Sequence, residues 1–346
     1  MKSNPTIKIL IGYHKPSVLF KSNLLVPVQG GRAIAEQASK DGTLQESALR
    51  WLLNNTIGDD SGENMSVANR YINEMSIIYW GWKNYQRLNN PDYMGFMQYA
   101  KHMVINPYME IPARPWLPHA EMYICDVDWY KKQENLSEKW LKAGMRGYDI
   151  ICPESYDVAY TGSANCKLRL EVLAPGYGGQ VFNIMSQYIR KHQPEMIPYL
   201  KELETGSVHY PLNCFIMKKD LFFSYCNFVF DVLKAVMKKT DFSQANIRQQ
   251  RAPAYLSELL TSMFIRSCDK KYRIKKCKTV VLVPPASATK PIPRELKDAL
   301  FYQNLKWQYL RCRLLAHLTW GKKKQHYVYK KNQLRQRVRC VNAWIK

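Results

Sequence analysis

No apolar run in this chain of 346 residues reaches the length of a bilayer span; Thr279–Ala286 (TVVLVPPA) has the length of a single strand. The N-terminus has Lys2 but no apolar signal region before Pro5, so secretion is not expected. No CxxC pair occurs among the nine cysteines, and none has a histidine at metal-ligand spacing, which argues against a zinc module. Their odd number argues against a disulfide framework. The apolar settings of Cys152 (DIICP) and Cys214 (NCFIM) suit buried thiols in a reducing compartment, so a cytoplasmic protein is expected. The phosphate loop G-x-x-x-x-G-K-S/T, the nucleophile elbow G-x-S-x-G and the Rossmann glycine fingerprint are all missing. ATPase, α/β-hydrolase and dinucleotide readings lose their support with them. Internal repeats are missing too.

Residues 301–346 lack acid altogether while carrying twelve basic residues. From Arg266 to the C-terminus there are 22 Lys+Arg against 3 acids, so +19 of the net +23 lies there and the preceding 265 residues carry only +4. Only this end of the chain calls for a polyanionic partner. The rest has a globular composition, 46% hydrophobic and 12% aromatic, at a length that permits a large buried core.

Thr6–Tyr13 (TIKILIGY) is β-branched and apolar and stops at His14-Lys15-Pro16. It reads as a first strand whose polar tip lies at the carboxyl end, where α/β sheets bind ligands. Residues 31–55 read as helix, and within Asn69–Leu88 the residues Met75, Ile78, Tyr79 and Trp82 fall at helical spacing. Asp92–Val104 and Tyr148–Cys152 read as strands, with a helix near Glu138–Ala143 between them. Residues 155–180 read as loop, 180–203 as helical, Asn213–Met217 as a short strand. Leu221–Lys239 and Pro253–Cys268 read as helices and Tyr272–Val283 as one or two strands. PPASATKPIP (284–293) is the clearest linker signal. An α/β protein is therefore expected, with one catalytic domain over residues 1–283, a linker over 284–293 and a basic C-terminal extension over 294–346.

Residues 57–102 concentrate the chemistry. A Gly-flanked acidic turn (Gly58, Asp59, Asp60, Ser61, Gly62, Glu63, Asn64) runs into an aromatic-rich helix, and the hydrophobic strand that follows stops on Gln98, Tyr99, Lys101 and His102. Paired carboxylates before a helix, with bases at the next strand end, point to a polar cleft and favour an enzyme.

The order of these elements resembles a bacterial glycosyltransferase family of capsule and O-antigen biosynthesis, long catalogued as a domain of unknown function. The resemblance is carried by HKP (14–16), GDDSGENMS (58–66), NEMSIIYWGWKN (73–84), the D-Y-x-G strand (92–95) and YDIICP (148–153). NCFIMKKDLFFSYCNFVFDVL (213–233) and RAPAYLSELL (251–260) extend it, so that it covers about residues 7–283. It implies a GT-A-like nucleotide-sugar transferase domain, a mixed sheet flanked by helices, here followed by a basic helical tail. One departure stands out: the family ends the D-Y-x-G strand on His-Tyr-Arg-Arg, whereas this chain has Gln98-Tyr99-Ala100-Lys101. A single cation is left at that motif, directly followed by His102.

Glycosyl transfer needs a site for the donor diphosphate, a base or electrostatic partner for the acceptor hydroxyl, and stabilisation of an oxocarbenium-like centre. Asp59, Asp60 and Glu63 occupy a turn that Gly58 and Gly62 allow to be tight. One of them would deprotonate the acceptor, or two would hold a divalent cation, Mg or Mn. Helix capping by Asp60 or Ser61 explains the same residues, and Asp59-Asp60 is not the usual D-x-D spacing. Glu258 is a fourth catalytic candidate, against an ion pair with Arg251. The donor-binding candidates are His14, Lys15, Asn64, Lys83, Asn84, Gln98, Tyr99, Lys101, His102 and Asn213. Of these Lys101 is the favoured phosphate contact. Strand alternation would place Tyr99 and Lys101 on one face and Gln98 and His102 on the other. Lys83 also suits a helix C-terminus, and Asn213 a turn. Glu74, on an otherwise apolar stripe, is either functional or paired with a buried base.

The expected activity is transfer of a sugar from a nucleotide-diphosphate sugar to a hydroxyl of a saccharide or lipid-linked acceptor in cell-surface polysaccharide synthesis. The basic tail would hold the enzyme at the anionic inner-membrane surface, its tryptophans at headgroup level. A non-catalytic polysaccharide-assembly component is a second reading, favoured by the depleted basic motif. A nucleic-acid-binding protein is a third, disfavoured because the positive charge is confined to the tail.

Overall fold

The computed structural model describes residues 5–39, 42–109, 111, 114–117, 122–283, 310–321, 323–328 and 331. The strands in chain order are β1 (Ile7–Tyr13), β2 (Leu25–Gln29), β3 (Ile57–Gly58), β4 (Tyr93–Gln98), β5 (Lys101–Met103), β6 (Arg114–Leu117) and β7 (Met122–Asp126). β8 (Ile150–Pro153), β9 (Tyr156–Asp157), β10 (Val208–His209), β11 (Phe215–Lys218), β12 (Ile274–Cys277) and β13 (Thr279–Val283) complete them. The helices are α1 (Glu46–Asn55), α2 (Asn69–Ile72), α3 (Met75–Lys83), α4 (Val127–Lys132), α5 (Glu138–Met145) and α6 (Cys166–Leu173). They continue with α7 (Gly178–His192), α8 (Ile197–Thr205), α9 (Lys219–Lys239), α10 (Ile247–Gln250) and α11 (Ala252–Cys268).

The main sheet runs β3-β2-β1-β4-β11-β8-β12. All its strands are parallel except β11, which is antiparallel to both β4 and β8. β4 forks: beyond its pairing with β11, Gln98 pairs with Lys101 of β5, and β5-β13-β7-β6 form a second arm. The chain leaves β1 toward β2 and β3 and returns through α2 and α3 to β4 on the other side of β1. The carboxyl ends of β1 and β4 thus flank a topological switch point, the place where open α/β sheets form a ligand crevice.

β1 alternates across the sheet as a strand must. Leu10 faces the cluster under α3, α7, α9 and α11, while Ile7, Ile9, Ile11 and Tyr13 face Leu52 of α1 and Leu141 and Met145 of α5. Burial on both faces explains why β1 reads as a near-continuous apolar run. α9 is the long inner helix, burying Phe222, Tyr225, Cys226 and Val229 and ending on Lys238 and Lys239, which suit a helix C-terminus. The eight cysteines among the described residues are buried thiols.

Three expectations are corrected. Residues 31–55 are α-helical only over α1, with one 3-10 turn at Arg32–Ile34, and the preceding strand β2 and helix α6 were not foreseen. The helix expected over Asn69–Leu88 is broken at Asn73, whose φ of 45° and ψ of −125° are incompatible with helix. The strand expected over Asp92–Val104 is a hairpin turning at Tyr99–Ala100, so Gln98 and Lys101 are cross-strand partners on one face. The linker 284–293 lies outside the described residues, as does most of the extension 294–346. Its described residues 310–318 are helical, with Cys312 and Ala316 buried and Leu310, Leu314 and Leu318 exposed.

Candidate active site

A cavity of about 560 Å3 opens at the carboxyl ends of β1, β2 and β4. One side is built by Gly12–Lys15 after β1, Gln29–Gly31 after β2 and Gln98–Lys101 at the hairpin. The other side is built by Asn69, Arg70, Asn73, Glu74 and Ile77 around the α2–α3 break and by Arg251, Ala254, Tyr255 and Glu258. The last four stand at i, i+3, i+4 and i+7, one face of α11. Ile34, Ala35, Gln37, Ala38, Gly42 and Leu44 also line it.

Within the lining the ring of buried Tyr13 stacks on Tyr99 at 5.4 Å, and His14 meets Tyr99 edge-on at 5.3 Å. Tyr13 is itself anchored, its hydroxyl donating to the Val18 carbonyl at 3.0 Å and accepting from Phe20 N at 2.9 Å. The loop carrying His14 and Lys15 is therefore tied back to the strand it leaves.

At the floor, burial first and the Glu74 carboxylate second push the Glu258 carboxyl up to about 7, against the pull of Lys101 and the Leu212 N–H. A carboxyl poised there exchanges a proton readily near neutrality. Glu74 is held by buried Asn213. Its Nδ2 donates to Glu74 Oε1 at 3.0 Å and to Ser257 Oγ at 2.8 Å, and its Oδ1 accepts from Thr261 Oγ1 at 2.8 Å. Leu212 and Asn213 have φ of 76° and 51°, and Asn73, next to Glu74, has φ of 45°. Left-handed non-glycine residues cost on the order of 1–3 kcal/mol each, a strain that clusters at functional sites.

The acidic turn lies elsewhere. Asp59 is fully buried and accepts four hydrogen bonds: from Gly31 N (2.8 Å), Arg32 N (3.1 Å), Ser66 Oγ (2.5 Å) and Ser76 Oγ (2.6 Å). Those donors saturate it, so it fixes the Gly30–Gly31 wall without lining the cavity. Asp60 is exposed beside Arg32. Glu63 accepts from the Tyr79 hydroxyl at 2.7 Å and pairs with Lys83 at 3.2 Å, contacts that hold its carboxyl below the usual range. Asn64 donates to carbonyls of its own turn, and Asn84 to those of Glu63 and Trp80. Asp59, Asp60, Glu63, Asn64, Lys83 and Asn84 therefore form a brace behind the wall. His102 also points away, buried with Nδ1 at 2.9 Å from the Tyr130 hydroxyl, and burial pushes its imidazole down to about 3. Of the residues singled out in the sequence, His14, Lys15, Gln98, Tyr99, Lys101, Glu74 and Glu258 line the cavity, and Asn213 lies beneath it.

Arg251 is two helical turns from Glu258 and engages Asn73 instead: with its amide turned to face the guanidinium, Asn73 Oδ1 accepts from Nε at 3.1 Å and Nη2 at 2.9 Å. Arg251, Asn73, Tyr255 and Gly30–Gly31 were missed as site residues. The i, i+3, i+4, i+7 pattern in RAPAYLSE was a legible signal for two of them; the broken helix at Asn73 left none. Among the described residues no group of three or more His, Cys, Asp or Glu side chains is placed to hold a metal ion. The saturated Asp59 and the cation at the strand end do not fit a divalent-cation site.

A family model with the description Domain of unknown function (DUF4422) matches residues 8–270. No curated protein matches the chain. Among solved structures it is similar to the apo structure of WbbM, a bifunctional glycosyltransferase, with a TM-score of 0.67 and 24% identity over 80% of this chain and 45% of that one. The two share a fold, a mixed sheet flanked by helices, and the present chain spans less than half of its neighbour's length. No helix among the described residues is long and apolar enough to cross a membrane.

Proposed function

The chain belongs to the DUF4422 family, and from that premise we propose that it is a glycosyltransferase of the hexosyl type, taking a sugar from a nucleotide-diphosphate donor to a hydroxyl of a saccharide acceptor. The observation that carries the reading is the half-buried Glu258, raised to about 7 beside Glu74 and Lys101 in the crevice at the switch point. The partly exposed Tyr99 ring, backed by the buried Tyr13, offers a flat surface to a nucleobase, and Lys101 offsets charge on the departing nucleotide. Glu258 takes the acceptor proton, and Asn213 keeps Glu74 oriented toward the same point. A lipid-linked acceptor in capsule or O-antigen synthesis fits the basic extension, which would hold the enzyme peripherally on anionic lipid at the cytoplasmic face. The partition into residues 1–283, 284–293 and 294–346 belongs to this proposal.

Incubating the protein with a panel of nucleotide sugars and following release of nucleoside diphosphate tests it. Donor turnover by the wild type that falls at least 100-fold in Glu258→Gln is expected. Turnover indifferent to that change would reject Glu258 as the base, and no turnover or binding of any nucleotide sugar would reject the enzyme.

A further inference from the structure

The clasp between Arg251 and Asn73 is an odd pairing for this cavity. Two carboxylates line the same space, yet the guanidinium directs two N–H groups at one neutral amide oxygen. That oxygen is presented by a strained backbone, and the strain is maintained by a relay. Asn69 Nδ2 donates to the Asn73 carbonyl at 2.7 Å and to Ser76 Oγ at 2.8 Å, and Ser76 Oγ donates in turn to Asp59 Oδ2 at 2.6 Å. The acidic turn thus ends, through Ser76 and Asn69, at the residue that holds Arg251. The guanidinium also lies 5.3 Å from the centroid of the Tyr255 ring, which restricts its swing to the cavity side of α11.

We propose that Arg251 is a second, forked diphosphate-binding cation of this site, in addition to Lys101, and that Asn73 is a placeholder for a phosphate oxygen, holding the fork in position until the ligand takes it. The inference rests on the nucleotide-sugar reading above. Two N–H groups converging on one oxygen present the geometry that a guanidinium offers to phosphate. A hydrogen bond to an ionised acceptor is roughly twice as strong as one to a neutral acceptor, so phosphate displaces the amide. Lys101 cannot supply the same fork: it is a point charge, and it sits in the field of Glu258. Arg251 and Glu258 are seven residues apart, ~10 Å along the helix axis. One face of α11 therefore carries the anion site at one end and the base at the other, with the transferred sugar between them. No covalent step is involved.

Calorimetric titration of the full chain with uridine, guanosine, cytidine and thymidine diphosphates, and with the matching nucleosides, tests the idea. For the diphosphate that the wild type binds, Arg251→Gln should weaken affinity at least tenfold while changing nucleoside affinity less than twofold. Arg251→Lys, which keeps the charge and loses the fork, should fall between. Asn73→Gly removes the competing oxygen and relaxes the backbone, and should tighten diphosphate binding. Wild-type binding of a diphosphate with equal affinity in Arg251→Gln or Arg251→Lys overturns the assignment and leaves the transferase reading standing. Loss of binding in Asn73→Gly as severe as in Arg251→Gln overturns the placeholder role. Failure of the wild type to bind any diphosphate overturns the inference together with the transferase reading.

Discussion

The two acidic residues Glu258 and Asp59 show how burial assigns opposite tasks to the same functional group. Glu258 is desolvated near a like charge, so its carboxyl rises to about 7; Asp59 is buried among four donors. The transfer rate should therefore fall tenfold per pH unit below about 7 as Glu258 protonates, a limb that a pH–rate profile of the wild type should contain and that of Glu258→Gln should lack. The same shift acts on stability. Between the ordinary carboxyl range and about 7 the folded chain holds a proton that the unfolded chain has released. Its contribution is full below that window and is lost as pH rises through about 7, so Glu258→Gln should gain in melting temperature over the wild type between pH 5 and pH 8. Asp59→Asn should act on the fold, lowering unfolding free energy in a urea titration by about 2–3 kcal/mol, because the amide keeps one acceptor oxygen and turns an NH2 group toward the donors that the other oxygen served. Asp60→Asn, at an exposed position outside the cavity, should leave turnover within about threefold, a barrier change below ~1 kcal/mol.

Among the elements, α11 and the turn before β11 decide whether the site exists. α11 buries Leu256, Leu260 and Met263 on one side and turns Arg251, Tyr255 and Glu258 to the cavity on the other. Asn213 links that helix to the start of α3 by bonding Ser257, Thr261 and Glu74 at once. Removing it should orphan several buried polar groups and cost about 2–3 kcal/mol. Asn213→Gly is the informative change, since it tolerates the φ of 51° and removes only the side-chain bonds. It should lose that stability in denaturant and also depress turnover, because Glu74 is released. Stability lost with turnover intact would make Asn213 a purely structural strut.

For the whole molecule the positive charge is concentrated toward the C-terminal end, +19 of +23 from Arg266 onward. Residues 301–346 carry twelve basic residues and no acid. Deleting residues 294–346 should spare nucleotide-sugar turnover in solution and abolish sedimentation with anionic vesicles. Binding by the full chain should fade as the screening length drops from about 10 Å at 0.1 M salt to about 3 Å at 1 M. The buried Cys312 and Ala316 and the exposed Leu310, Leu314 and Leu318 lie on opposite sides of the helical residues 310–318. A truncated protein that is insoluble would mean that this segment completes the core instead.

Much of the frame was determined by local sequence, because a strand buried on both faces and a long helix with an apolar stripe each carry their own periodicity. β1, β8, β11, α9 and α11 were legible on that ground, and so was the ligand end of β1, since His14 and Lys15 interrupt an otherwise apolar run. The short, proline-interrupted strand β2, the break at Asn73 and the hairpin at Tyr99–Ala100 were not legible, because each depends on a partner distant in sequence. Only the tertiary structure decided which carboxylates meet. Asp59, Asp60 and Glu63 stand together in the chain, yet Asp59 is consumed by amides and hydroxyls from three other segments and Glu63 by Tyr79 and Lys83. Glu74 and Glu258 are 184 positions apart in the chain and are brought to one cavity only because α3 and α11 pack at the same end of the sheet. A side chain's proton affinity is set by what surrounds it in space, and no spacing along the chain encodes that.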